Sequence, residues 1–161
     1  MMITVAVLTL SDKGSKGERE DLSGPLIQEM LRRIDAEVKH YEILPDEKER
    51  IKETLIKYSA EVDLILTTGG TGLSPRDVTP DATLEVIDRQ VPGIAEAMRL
   101  ESLKKTSRAM LSRAVAGVRG KSLLINLPGS PKAVRENLEV ILEALPHAIE
   151  KIKGDPSDCA A

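Results

Sequence analysis

The sequence predicts an α/β protein, specifically a three-layer α/β/α sandwich with a mostly parallel central sheet and one small β-hairpin. Short β-branched runs alternate along the chain with longer segments in which apolar residues recur every three or four positions. This alternation is typical of a parallel sheet covered by helices on both faces. The 161 residues suffice for one such domain, without linker or repeat. We therefore predict a single domain over residues 1–154 and a short tail over residues 155–161.

The first half of the chain supplies three strands and two helices. Apolar residues of period two, or continuous apolar runs, predict strands over residues 3–10, 38–44 and 64–66. The last of these runs is fully apolar, as expected at the centre of a parallel sheet. Helical spacing of Leu, Ile and Met predicts helices over residues 23–34 and from about residue 47 to residue 58.

The second half begins with a helix that opens at Thr79-Pro80, where Thr79 suits the N-cap and Pro80 the first helical position. A further helix follows Pro92-Gly93 and carries Ile94, Ala97, Met98 and Leu103. Strands over residues 115–118 and 122–127 are separated by a Gly120 turn, which predicts the hairpin. The last helix opens at Ser130-Pro131, and Pro146 predicts a kink or a break within it.

Composition excludes several classes of protein. Lys and Arg number 23 against 26 Asp and Glu, a net charge of −3, which is not the basic footprint of a nucleic-acid-binding domain. No apolar run approaches the ~18 residues of a membrane span, and no basic segment suggests a signal peptide. The single cysteine, Cys159, excludes an internal disulfide and a cysteine-based zinc site. We expect a reduced cytoplasmic protein that binds neither nucleic acid nor membrane.

Aromatic side chains are almost absent, since Tyr41 and Tyr58 stand alone without any Phe or Trp. A flat ligand then cannot be held by stacking on Phe or Trp. We expect such a ligand to be bound by backbone edges, hydroxyl groups, the Asn126 amide and aliphatic surfaces.

Three polar loops follow predicted strands, over residues 11–24, 69–79 and 126–131. In open parallel sheets, ligands bind outside the carboxyl ends of the strands. We therefore predict that these three loops converge on one site.

The glycine-rich loop has two interpretations. Gly69, Gly70 and Gly72 would let backbone N–H groups face an anionic ligand, with Thr68 and Thr71 adding hydroxyls. Alternatively, the loop is a tight strand-to-helix turn in which Asp77 makes an Asx-turn. The loop matches neither the Walker A pattern nor the dinucleotide-binding Gly-x-Gly-x-x-Gly pattern.

Asp46 also has two interpretations. It can cap the following helix, with Glu49 completing a capping box. It also follows a predicted strand, where its carboxylate can join Asp77 in binding Mg²⁺ together with nucleotide phosphates.

The third loop ends a strand and begins a helix. Asn126, the backbone of Gly129 and the Ser130 hydroxyl can face an anion at that helix N-terminus. Ordinary capping explains Ser130 fully but explains Asn126 less well. In the first loop, Asp21 directly precedes the helix start Ser23-Gly24-Pro25.

These loops together resemble the molybdenum-cofactor biosynthesis family of MogA/MoaB-like proteins, which includes the G-domain of gephyrin. The resemblance extends from residue 4 to residue 154. It rests on the segments LSD (10–12), DLSGP (21–25), LPDE (44–47), LILTTGGTGLSPRDVTPDAT (64–83), ESL (101–103), MLSRAVAGVRG (110–120) and INLPGSPKAV (125–134).

The resemblance implies Mg²⁺-dependent adenylylation of molybdopterin by ATP, with release of pyrophosphate. It implies that Asp46 and Asp77 are the catalytic, metal-binding aspartates. It implies that Ser11 and Asp21 lie near the nucleotide and metal, and that Ser102, Ser112 and Asn126 lie on the pterin side. The remaining residues expected to bind substrate or nucleotide are Thr68, Gly69, Gly70, Thr71, Gly72, Pro128, Gly129 and Ser130.

The resemblance also implies a homotrimer, with a hexamer as the larger assembly. With only a short tail after residue 154, we expect molybdate insertion to require a separate protein. Two other functions are compatible with the same fold: a non-catalytic molybdopterin carrier and an oligomeric scaffold.

Overall fold

A computed structural model describes residues 1–159, so Ala160 and Ala161 of the predicted tail lie outside the described residues. The strands are β1 (Ile3–Leu10), β2 (Ala36–Leu44), β3 (Leu64–Thr68), β4 (Arg89–Gln90), β5 (Ala116–Arg119) and β6 (Ser122–Leu127). The α-helices are α1 (Asp12–Ser15), α2 (Ser23–Leu31), α3 (Lys48–Ser59), α4 (Thr79–Val86), α5 (Pro92–Leu103), α6 (Pro131–Ile141) and α7 (Leu145–Ile152).

The predicted fold class is confirmed. The strands form one sheet in the order β2-β1-β3-β6-β5-β4, in which β2, β1, β3 and β6 are parallel. The antiparallel pair β5–β6 is the predicted hairpin. All five residues of β3 are buried, as its apolar sequence predicts for a central strand.

The helices cover both faces of the sheet and divide the core in two. Apolar side chains from α2, α5, α6 and α7 pack against one face. Those from α3 and α4 pack against the other, where Tyr58 is the one aromatic side chain in the described core. Within residues 1–159, every helix is too short or too polar to span a lipid bilayer.

Several local features differ from the prediction or sharpen it. The short strand β4 and the short helix α1 were not predicted, because their own sequences are polar and show no apolar periodicity. Thr79 is not the N-cap of α4, because the helix begins at Thr79 itself and its hydroxyl donates to the carbonyl oxygen of Gly69, at 3.0 Å. The break at Pro146 is confirmed: a 3-10 turn, Leu142–Ala144, separates α6 from α7.

Candidate functional site

The three predicted loops do meet at the carboxyl end of the sheet. There they surround a cavity of about 620 Å³, which we call the large cavity. Its walls come from the segment after β1, the loop after β2, the glycine-rich loop after β3 and the loop between β6 and α6. Of the predicted site residues it includes Ser11, Asp21, Asp46, Thr68, Gly69, Gly70, Asp77, Gly129 and Ser130.

A second cavity of about 280 Å³ lies beside the first, between the glycine-rich loop, α5, α6 and the segment before β5. We call it the small cavity. It holds the other predicted residues except one: Thr71, Gly72, Ser102, Ser112 and Pro128. Because Gly70 lines the large cavity and Thr71 the small one, the glycine-rich loop forms part of the wall between them.

Asn126 lines neither cavity. Its side chain is fully buried within the sheet, where its amide nitrogen donates to the hydroxyls of Thr67 and Thr83, both at 3.0 Å. Its amide oxygen accepts from the N–H of Val115 at 3.2 Å. These bonds give Asn126 a structural explanation that its position in the sequence does not provide.

Asp46 does not cap α3, so the capping interpretation is wrong. The N-cap residue is Glu47, whose side chain makes no capping hydrogen bond. One carboxylate oxygen of Asp46, Oδ2, accepts from the N–H of Asp12 at 3.0 Å. The other, Oδ1, is buried and has no hydrogen-bond partner in the described residues. Burial of such an oxygen is energetically costly unless a cation binds it or a donor forms a hydrogen bond to it.

Burial raises the pKa of Asp46 above its usual value. The nearby carboxylates of Asp12 and Asp77 raise this pKa further, whereas the N–H of Asp12 and the guanidinium of Arg76 lower it. A divalent cation at this point would offset both the burial and the repulsion.

Asp77 closes a local turn with Ser74, although it does not make the predicted Asx-turn, because the N–H of Thr79 donates to the carbonyl oxygen of Gly70. Its Oδ2 accepts from the N–H of Ser74 at 3.0 Å, and its own N–H donates to the Ser74 carbonyl at 2.9 Å. Asp77 nevertheless lines the same cavity as Asp46. The turn therefore holds the Asp77 carboxylate at the site.

Asp21 fixes the start of α2. Its Oδ1 accepts from the N–H groups of Ser23 and Gly24, each at 3.1 Å. Its Oδ2 accepts from the hydroxyls of Thr9, at 2.7 Å, and Tyr41. With four donors around it, this carboxylate is already satisfied and acts mainly as a wall of the large cavity.

Two hydroxyls join the loops to one another. Thr68 donates to the carbonyl oxygen of Pro128 at 2.6 Å, and Ser23 donates to that of Gly129 at 2.7 Å. Two others are ordinary caps: Ser11 accepts from Gly14 N–H at the start of α1, and Ser130 accepts from Ala133 N–H at the start of α6.

The sequence does not single out two residues that organise the site, Asp12 and Arg113. Arg113 donates to the carbonyl oxygens of Gly72, at 2.9 Å, and Asp77, at 2.6 Å, and forms an ion pair with Asp81 at 3.1 Å. It thereby holds the glycine-rich loop from a position 36 residues away from Asp77. Charge alone provides no signal for such a contact, since the chain has 23 Lys and Arg residues.

The large cavity is acidic. Two cationic residues line it, Lys13 and Arg19. Five acidic residues also line it: Asp12, Glu20, Asp21, Asp46 and Asp77. No group of three or more His, Cys, Asp or Glu side chains in the described residues is arranged as a complete metal site. Mg²⁺ is usually held by only one or two carboxylates, and substrate phosphates then supply further oxygen ligands.

Comparisons with known proteins agree on one family. The family model described as "probable molybdopterin binding domain" matches residues 6–147. A molybdopterin adenylyltransferase of Helicobacter pylori strain J99 is 48% identical over 157 residues, which cover 95% of this chain and 89% of that protein.

Solved structures agree with this result. The molybdopterin biosynthesis enzyme MoaB from Thermus thermophilus has a TM-score of 0.90 and 53% identity, covering 97% of this chain and 99% of that one. The tungsten cofactor synthesizing protein MoaB from Pyrococcus furiosus has a TM-score of 0.86 and 36% identity, covering 94% and 98%.

Proposed function

We propose, from the premise that this chain belongs to the molybdopterin-binding domain family, that it transfers the adenylyl group of ATP to molybdopterin. The predicted assignment as a molybdopterin adenylyltransferase of molybdenum cofactor biosynthesis is confirmed by the curated relatives of that name. The observation that carries the proposed mechanism is the buried, unpartnered Oδ1 of Asp46 beside the large cavity.

The reaction joins two phosphates. An oxygen of the terminal phosphate of molybdopterin attacks the α-phosphorus of ATP, and a new P–O bond forms. The bond from that phosphorus to the bridging oxygen of the β-phosphate breaks, and pyrophosphate leaves with its electrons. The attacking phosphate is already ionised at neutral pH, so no side chain has to act as a general base. Catalysis then depends on positioning and electrostatics.

We propose that Asp46 and Asp77 hold Mg²⁺. Both residues line the large cavity, and one buried oxygen of Asp46 has no hydrogen-bond partner in the described residues, which fits the oxygen ligands that Mg²⁺ prefers. Bound Mg²⁺ would neutralise charge on the transferring phosphate oxygens. The five carboxylates of the cavity would otherwise repel a polyphosphate.

We propose further that the nucleotide occupies the large cavity and the pterin the small one, with the glycine-rich loop between them. The small cavity is lined by apolar side chains, such as Ala95 and Met98, and contains no aromatic ring. Glu136 and Asn137 also line it, and their oxygens can accept from the N–H groups of a pterin. This arrangement agrees with the expectation that backbone, hydroxyl and aliphatic groups replace stacking.

The test is to incubate the protein with molybdopterin, ATP and Mg²⁺ and to measure pyrophosphate and adenylylated molybdopterin. We expect one pyrophosphate per adenylylated product, and we expect EDTA to abolish both. Molybdopterin binding without pyrophosphate would instead favour the carrier function. Undiminished release in EDTA would exclude the proposed role of the metal.

We propose that the chain assembles as a homotrimer, from which a hexamer can form. The support is an apolar surface where the last turns of α5 meet the 3-10 segment Ser107–Leu111. Leu100 and Met110 are each 64% exposed there, and Leu103 and Leu111 are also exposed. Burial of such a surface is a usual reason for assembly. Sedimentation equilibrium is expected to give a mass three or six times 17.5 kDa; a monomer at micromolar concentration would contradict the proposal.

The cytoplasm is the location that we propose, because the single cysteine requires no oxidising compartment. The product, a mixed anhydride of two phosphates, is suited to a following step in which the adenylyl group leaves. We propose that a separate molybdate-inserting protein receives it.

A further inference from the structure

We propose that Asp12 and Arg76 are positioning residues for Asp46 in the transfer reaction. They act through a set of hydrogen bonds among Asp12, Asp46 and Arg76, which we call the Asp12 clasp. The inference rests on the proposed function for its catalytic consequence, although its geometry is independent of it.

The first part of the clasp is a reciprocal pair of hydrogen bonds. The N–H of Asp12 donates to Oδ2 of Asp46 at 3.0 Å, and the N–H of Asp46 donates to Oδ1 of Asp12 at 2.9 Å. Asp12 follows β1 and Asp46 follows β2, which are neighbouring parallel strands. Each aspartate therefore satisfies the backbone of the other across the two loops.

The second part is a bidentate ion pair from the glycine-rich loop. Arg76 donates through Nε to Oδ2 of Asp12 at 3.0 Å and through Nη2 to Oδ1 at 2.8 Å. Two parallel hydrogen bonds of this kind fix the orientation of the two side chains as well as the distance between them. The clasp thus connects the loops that follow β1, β2 and β3.

The hydrogen bonds assign different tasks to the two aspartates. Both carboxylate oxygens of Asp12 are occupied, so Asp12 has little capacity left for a metal or a phosphate. Asp46 has one oxygen anchored to the backbone and one buried oxygen without a partner in the described residues. The clasp therefore holds the Asp46 carboxylate in one orientation and leaves Oδ1 without a hydrogen-bond partner in the described residues.

This arrangement has a consequence for rate. A ligating carboxylate that can rotate must be ordered again in each cycle, and small misplacements of reacting groups lower rates strongly. Loss of the clasp should therefore reduce turnover and metal binding, while binding of molybdopterin in the small cavity should be little affected.

The chain offers a matched control. Arg33 and Glu139 form another bidentate pair, at 2.6 and 2.8 Å, and both side chains are more than half exposed. Neither residue lines either of the two cavities. Arg33→Ala removes a bidentate ion pair of the same kind from the surface and leaves both cavities unchanged.

The experiment compares Asp12→Ala, Arg76→Ala and Arg76→Lys with Arg33→Ala and the unmodified protein. Pyrophosphate release gives kcat and the KM values, and electron paramagnetic resonance measures Mn²⁺ binding with a non-hydrolysable ATP analogue present. We expect Asp12→Ala and Arg76→Ala to lower kcat about 10- to 100-fold and to weaken Mn²⁺ binding, with KM for molybdopterin little changed. Arg76→Lys should retain part of the kcat that Arg76→Ala loses, because lysine keeps the charge but cannot form the bidentate ion pair.

The outcomes distinguish a failure of the Asp12 clasp from a failure of the proposed adenylyl transfer. Turnover and Mn²⁺ affinity in Asp12→Ala and Arg76→Ala equal to those of Arg33→Ala would overturn the clasp. The exposed Arg76 variant decides the matter if Asp12→Ala does not fold. Absence of pyrophosphate release from the unmodified protein would refute the proposed function instead, and the Mn²⁺ measurement would still test the clasp.

Discussion

Asp46→Asn is expected to lower the rate of pyrophosphate release about a hundredfold or more, while the protein stays folded. Asparagine has nearly the same shape, and its amide oxygen can still accept from the N–H of Asp12. What is lost is the negative charge beside the large cavity. Asp77→Asn is expected to have the same direction of effect, because Asp77 lines the same cavity.

The stability of Asp46→Asn towards urea is a second measurement, independent of the reaction rate. The pKa of Asp46 is raised in the folded protein, first by burial and then by nearby carboxylates. At pH values between the pKa of an unfolded aspartate, ~3.9, and this higher folded-state pKa, the folded state binds more protons than the unfolded state. The contribution of Asp46 to stability is therefore present at low pH and is lost as the pH rises. Asp46→Asn removes that loss, so at neutral pH it should unfold at an equal or higher urea concentration.

Asp63 serves as the control of opposite sign. Burial alone would raise its pKa, but hydrogen bonds from Lys153 and Thr4 outweigh burial and lower it. Its contribution to stability is therefore present at neutral pH and is lost as the pH falls through its folded pKa. Asp63→Asn should lower stability at neutral pH and leave turnover nearly unchanged. A full rate in Asp46→Asn would disprove the metal-binding role.

Gly69→Ala is expected to cost about 2–4 kcal/mol of unfolding free energy and to abolish transfer. Gly69 has φ of +99°, a conformation that residues with a Cβ rarely adopt. An added Cβ would lie 2.5 Å from the carbonyl oxygen of Leu10 in the neighbouring strand, and this backbone atom cannot move aside cheaply. Gly69 is also close to the loop between β6 and α6, since a Cβ added at Gly129 would lie 3.4 Å from the Cα of Gly69.

Two other glycines separate the causes of this effect. Gly17 also has positive φ, +75°, but an added Cβ there would meet nothing within 4 Å. Gly17→Ala therefore isolates the conformational penalty, roughly 1 kcal/mol. Gly93 has neither constraint and lies in the first turn of α5, where alanine is the better helix former, so Gly93→Ala should be neutral or slightly stabilising. Urea denaturation of the three variants gives the comparison; equal losses for Gly69→Ala and Gly17→Ala would show that the contact with Leu10 is unimportant.

The fold and the convergence of the polar loops on the candidate site could be predicted, because both follow from local patterns. Period-two and period-3.6 spacing of apolar residues determines which segments are strands and helices, and parallel strands bring their carboxyl ends together. The broken last helix follows from Pro146, and the hairpin follows from the Gly120 turn. The polar loops between these elements then had to meet at one edge.

Contacts between residues distant in the chain could not be predicted in this way. Capping and metal binding both use an aspartate after a strand, so the sequence near Asp46 is compatible with either. The structure excludes capping, because Glu47 is the N-cap and the Asp46 carboxylate instead accepts from the N–H of Asp12, 34 residues away. Asn126 presents the converse case, since a polar residue at a strand end suggested a ligand contact, whereas three neighbours in space satisfy it.

Local spacing of residue types alone is therefore sufficient for the sandwich, its hairpin, and the loops that surround the site. Folding in three dimensions was needed to divide that site into two cavities and to distinguish residues that face them from residues that support them. The physical reason is that hydrogen bonds and burial are properties of neighbours in space. In this chain the neighbours that matter, such as Asp12, Asp46 and Arg76, come from three separate loops.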